Sequence, residues 1–70
     1  MRILVIEDEI KLQQQIRQQL ESAGYMVDTC SDGSEGLFFA REYPLDVAII
    51  DIGLPGKSGL EIIKALREQG

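Results

Sequence analysis

Seventy residues make at most one small domain, and a chain of this size removes only about 60% of its unfolded surface from water. One cysteine and no histidine exclude an intrachain disulfide and argue against a structural zinc site. The net charge is −5 with the basic residues scattered singly, and no apolar run approaches the ~20 residues of a membrane helix, which argues against nucleic-acid contact or membrane insertion by this segment.

Ile3 to Ile6 is a short, continuous apolar run, the pattern of a strand buried on both faces; the first strand is expected at about residues 2–7. Too few apolar residues precede Glu7-Asp8-Glu9 for a signal peptide, and with a single reduced thiol the chain is expected to be cytoplasmic. Asp8 is a candidate N-cap for a helix at about 9–23. Leu12, Ile16, Leu20 and Ala23 fall on one face of it, while Gln13, Gln14, Arg17, Gln18 and Glu21 form the solvated face. Glu9 sits where its charge favours the helix dipole. Gly24 closes the helix as a C′ glycine does.

Tyr25 to Cys30 alternates and carries Val27 and Thr29, the mark of an edge strand, with Cys30 half-buried in it. Ser31-Asp32-Gly33 is a turn and cap. A helix at about 34–43 follows, with Leu37, Ala40 and Phe38 inward, close packing at Gly36 and a stop at Pro44. A third strand at about 45–51 has the apolar core Val47 to Ile50. A glycine- and proline-bearing loop from Asp51 to Ser58 leads to a helix at about 58–69, with Leu60, Ile63 and Leu66 on its face and Ile62 and Ala65 beside them. The order βαβαβα implies an α/β fold: an open parallel sheet with right-handed crossovers.

Two apolar strands run straight into acids, Ile6 into Glu7-Asp8 and Ile50 into Asp51. In such sheets ligands bind at the carboxyl ends of the strands, where neighbouring connections diverge. With strand order 2-1-3 the three acids would share one crevice. At about 4 Å and an effective dielectric near 20, each pair repels by about 4 kcal/mol, so protons or a cation must neutralise the cluster. Oxygen donors favour Mg²⁺, Mn²⁺ or Ca²⁺, and an incomplete set favours Mg²⁺, which keeps waters and binds phosphate. Singly, each acid has a blander explanation: Asp8 caps a helix and Asp51 caps a turn. A nucleotide-binding P-loop is excluded by the acids after the first strand, and a Ser/His or Cys/His hydrolase by the absence of histidine.

Ile3-Leu4-Val5-Ile6-Glu7-Asp8-Glu9, Ala23-Gly24-Tyr25-Met26-Val27, Ser31-Asp32-Gly33-Ser34-Glu35-Gly36-Leu37 and Asp51-Ile52-Gly53-Leu54-Pro55-Gly56-Lys57-Ser58-Gly59-Leu60-Glu61 together resemble the two-component response-regulator receiver domain. The loop after Asp51 is similar to that of the OmpR/PhoB class, PhoP-like members included. The resemblance implies a flavodoxin-like (CheY-like) sheet in which Asp51 accepts a phosphoryl group from the phosphohistidine of a sensor histidine kinase. It implies Mg²⁺ held by Glu7, Asp8, Asp51 and the backbone carbonyl of Gly53, with Pro55 and Gly59 shaping the loop and Lys57 a solvated charge. It also implies that Asp51 is the group modified, so that the domain is an acceptor and not an enzyme with turnover. DNA contact would fall to a downstream domain of a transcriptional regulator.

The family's domain has five βα units against three here, so the chain corresponds to its N-terminal part. The Ser/Thr after the fourth strand, the Lys after the fifth and the aromatic switch residue have no counterpart in it. An apolar third strand left at the sheet edge invites pairing with another chain. The alternative expectation is therefore a non-catalytic interaction module, for instance a homodimer, joined through that edge.

Overall fold

The computed structural model describes residues 1–51 and 59–68, with the side chain of Leu66 left aside. Three strands and three helices alternate: β1 (Arg2–Ile6), α1 (Ile10–Ser22), β2 (Met26–Cys30), α2 (Gly33–Glu42), β3 (Val47–Ile50) and α3 (Gly59–Glu68). The strands pair in parallel in the order β2-β1-β3, as the alternation of elements predicts. Each expected element is present; among β1, α1, β2, α2 and β3 the ends differ from those expected by at most two residues.

Central β1 is apolar on both faces because both are covered. Ile3 and Val5 face α1 and join Val27, Ile16 and Leu20 in one cluster. Leu4 and Ile6 face the other way and join Cys30, Leu37 and Ile62, with Phe39, Ala40, Leu45, Ile50 and Ala65 around them. Leu4 is wholly buried, so Leu4→Ala would cost about 2–5 kcal/mol.

The helix ends follow local chemistry. Gly24 takes φ +93°, a left-handed conformation that side chains resist, and ends α1 as expected. Asp32 caps α2 by accepting the Glu35 N–H at 2.7 Å. Asp8 is not a helix cap. The N-cap of α1 is Glu9, whose side chain makes no capping bond.

Five inward-facing assignments are corrected. Leu12 and Ala23 are exposed and Gln13 is buried, because the stripe that meets the sheet runs 13-16-20 and not 12-16-20. In α2, Phe38 points to solvent and Phe39 packs on the core. In α3, Leu60 is 63% exposed and Ile63 is exposed, while Ile62 and Ala65 turn inward towards α2 and Ile6. That helix carries apolar residues on two faces, and tertiary contact chooses between them. Cys30, expected half-buried, is buried outright.

Gly36 confirms close packing. A Cβ at this position would overlap Ile6 Cδ1 and lie 2.8 Å from its Cγ1. The opposite end of the sheet is tied by Arg2. Its Nε is 2.7 Å from Asp28 Oδ2, its guanidinium lies over the rings of Phe39 and Tyr43, and its backbone N–H donates to Asp46.

Candidate functional site

Parallel register carries the acids to one place. Ile6 is opposite Cys30 on one side and Ile50 on the other, so the residues that follow β1 and β3 emerge at the same end of the sheet. The ladder runs one step further: Glu7 N–H donates to the Cys30 carbonyl at 3.0 Å, and Asp51 N–H donates to the Ile6 carbonyl at 3.0 Å. Those two bonds fix the main chain of both acids before any side chain is considered. Ligand oxygens of Glu7, Asp8 and Asp51 then all lie within 4.8 Å of one another.

Their surroundings differ. Glu7 is buried, Asp51 half-buried and Asp8 exposed. The Glu7 carboxylate is held in place by the Glu9 N–H, which donates to Oε1 at 3.0 Å. Among the described residues no ion pair reaches Glu7 or Asp8, whereas Arg2 pairs with Asp28 and Arg17 with Glu21 elsewhere. Three hard oxygen donors suit a small divalent cation better than a softer metal, which would prefer sulfur or imidazole. The fourth expected donor, the Gly53 carbonyl, falls outside the described residues, as do Pro55 and Lys57.

Two neighbours of the pocket were misjudged or unremarked in the sequence. Gln13, expected in solvent, is buried and donates through Nε2 to the Glu7 carbonyl at 2.9 Å and the Cys30 carbonyl at 3.1 Å. Its spacing of three and seven residues from Ile16 and Leu20 was the available signal. Cys30 packs in the apolar core under the same end of the sheet. Burial, with Glu35 next in effect, pushes its thiol up to about 12, so it stays protonated and is no nucleophile at neutral pH.

Comparison with known proteins agrees with this arrangement. A family model described as the response regulator receiver domain matches residues 3–70. The two-component response regulator PhoP of Pseudomonas aeruginosa is 46% identical over 70 residues, all of this chain and 31% of that protein. The chain thus spans about a third of the length of this curated relative. Thermotoga maritima response regulator TrrA, solved in complex with Mg²⁺ and BeF, superposes with a TM-score of 0.94 at 37% identity, over 97% of this chain and 59% of that one. The same regulator in complex with the histidine kinase ThkA gives a TM-score of 0.92 at 36% identity, over 99% of this chain and 60% of that one. Parallel strands in the order 2-1-3, the acid pocket at their tips and the match over nearly the whole length agree: this chain belongs to the response regulator receiver domains, and within them it is similar to those of PhoP-type regulators.

Proposed function

We propose that this chain accepts a phosphoryl group on Asp51 from the phosphohistidine of a sensor histidine kinase, with Mg²⁺ held by Glu7, Asp8, Asp51 and the Gly53 carbonyl. The observation that carries the reading is the convergence of three carboxylates within 4.8 Å at the tips of adjacent strands. An Asp51 carboxylate oxygen forms a bond to phosphorus while the phosphorus–nitrogen bond of the donor breaks. The electron pair of that bond returns to the imidazole, which takes up a proton from water, and an acyl phosphate remains. When bound, Mg²⁺ supplies positive charge that offsets repulsion between the anionic nucleophile and the phosphoryl oxygens. Glu7, fixed by its main chain and by Glu9, sets one ligand position, and exposed Asp8 supplies another.

The partners follow from the same chemistry. A kinase complex of a similar regulator supports a histidine kinase as the donor. Similarity to PhoP supports a longer transcriptional regulator in which another part of the chain contacts DNA. A cytoplasmic location fits both, and among the described residues no helix is long and apolar enough to cross a membrane.

Incubation with a small phosphodonor and Mg²⁺, followed by intact-mass measurement, tests the reading. The expected result is a gain of one base-labile phosphoryl group, lost in Asp51→Asn and on chelation of the metal. A gain that survives Asp51→Asn would overturn it.

One observation favours a second reading, an interaction module joined through β3, for instance as a homodimer: Val47 and Ile49 are each 39% exposed. A chain that self-associates through this edge and never takes up phosphate in the same incubation would establish it in place of the first.

A further inference from the structure

Polar side chains are rare on the inward stripe of an amphipathic helix, and α1 carries one. Gln13 occupies the position where the 13-16-20 stripe asks for an apolar residue, and it is only 4% exposed. Burying a carboxamide is unfavourable unless its hydrogen bonds are made, and here both N–H bonds of Nε2 are used. One goes to the Glu7 carbonyl at 2.9 Å and the other to the Cys30 carbonyl at 3.1 Å. The Cys30 carbonyl also accepts the Glu7 N–H, so the same oxygen receives the main chain of the acidic turn and the side chain that braces it. The turn is closed from the other side too, because Gln13 N–H donates to the Glu9 carbonyl at 2.9 Å.

What the carboxamide adds to Glu7 is the bond to its carbonyl; the Glu7 N–H is taken by the Cys30 carbonyl and its carboxylate by the Glu9 N–H. We propose that Gln13 is a positioning residue of the acidic pocket: it clamps the Glu7 main chain to the end of β2 and so sets where Glu7 and Asp8 present their carboxylates to a divalent cation. The role rests on reading the pocket as a cation site. A polar residue placed against the local pattern belongs to the site and not to the core.

The test compares Mg²⁺ affinity in the folded full chain. Gln13→Met keeps the length of the side chain and removes both donors. It is expected to weaken Mg²⁺ binding about tenfold, the low end of what outer residues bracing a metal ligand contribute. Val27→Ala, in the other core cluster and away from the pocket, is expected to lower stability and leave the affinity of the folded protein unchanged. Unchanged affinity in Gln13→Met, or an equal loss in Val27→Ala, would overturn the proposal. If Gln13→Met does not fold, the native protein decides: the Gln13 side-chain amide resonances must shift on saturation with Mg²⁺, and their failure to move overturns the clamp. A native chain with no saturable Mg²⁺ binding would remove the cation site itself. Weakened binding in Asp8→Asn beside unaltered binding in Gln13→Met would remove only the role of Gln13.

Discussion

Glu7 and Asp8 are adjacent in sequence and opposite in environment, and that difference separates their roles. Glu7 is buried and fixed through three hydrogen bonds, while Asp8 is exposed and takes its position from its neighbour. Asp8→Asn removes a charge from the open side of the pocket and is expected to weaken Mg²⁺ binding in a calorimetric titration. Indistinguishable titrations would remove Asp8 from the ligand set. Asp51→Asn takes away one of three like charges in a metal-free pocket. Because water screens the cluster, relief is worth roughly 0–1 kcal/mol, and urea unfolding in chelator is expected to show unchanged or slightly raised stability. A clear drop would make Asp51 chiefly a structural residue.

At the scale of elements, the strands were the most legible part of the sequence. Uninterrupted apolar runs in β1 and β3 point to parallel strands, and acids placed directly after them point to the shared edge. The helices were legible in extent but not in rotation. Choosing between Leu12 and Gln13, between Phe38 and Phe39, or between Leu60 and Ile62 depends on which neighbour each helix meets, and single-sequence periodicity does not contain that neighbour. The polar clamp was lost for the same reason, since a glutamine among glutamines reads as surface. Gly36 was read correctly, and its packing gives a test. Alanine improves intrinsic helix propensity by about 1 kcal/mol. Overlap with Ile6 nonetheless has the larger effect, so Gly36→Ala is expected to destabilise the chain by about 1–3 kcal/mol in denaturant unfolding. A more stable variant would show that Ile6 yields without cost.

For the molecule as a whole, stability and occupancy of the pocket are linked. A cation that binds only the folded chain adds about 2.7 kcal/mol at a hundred times its Kd, on the order of 10 °C or more in Tm for a domain of this size. Thermal melts in Mg²⁺ against NaCl of equal ionic strength are expected to show this rise. Asp8→Asn with Asp51→Asn should abolish it; a rise that persists in the double variant would place the ion elsewhere.

The two ends of the sheet are unlike in how they are secured. At the amino-terminal rim Arg2 grips Asp28, covers Phe39 and Tyr43, and exchanges main-chain and side-chain bonds with Asp46, so β1, β2, α2 and the approach to β3 are fastened by one residue. At the carboxylate rim the brace is a neutral one: Gln13 ties α1 to the ends of β1 and β2. With Arg2 holding it, the far rim is expected to stay fixed as charge arrives at or leaves the carboxylates.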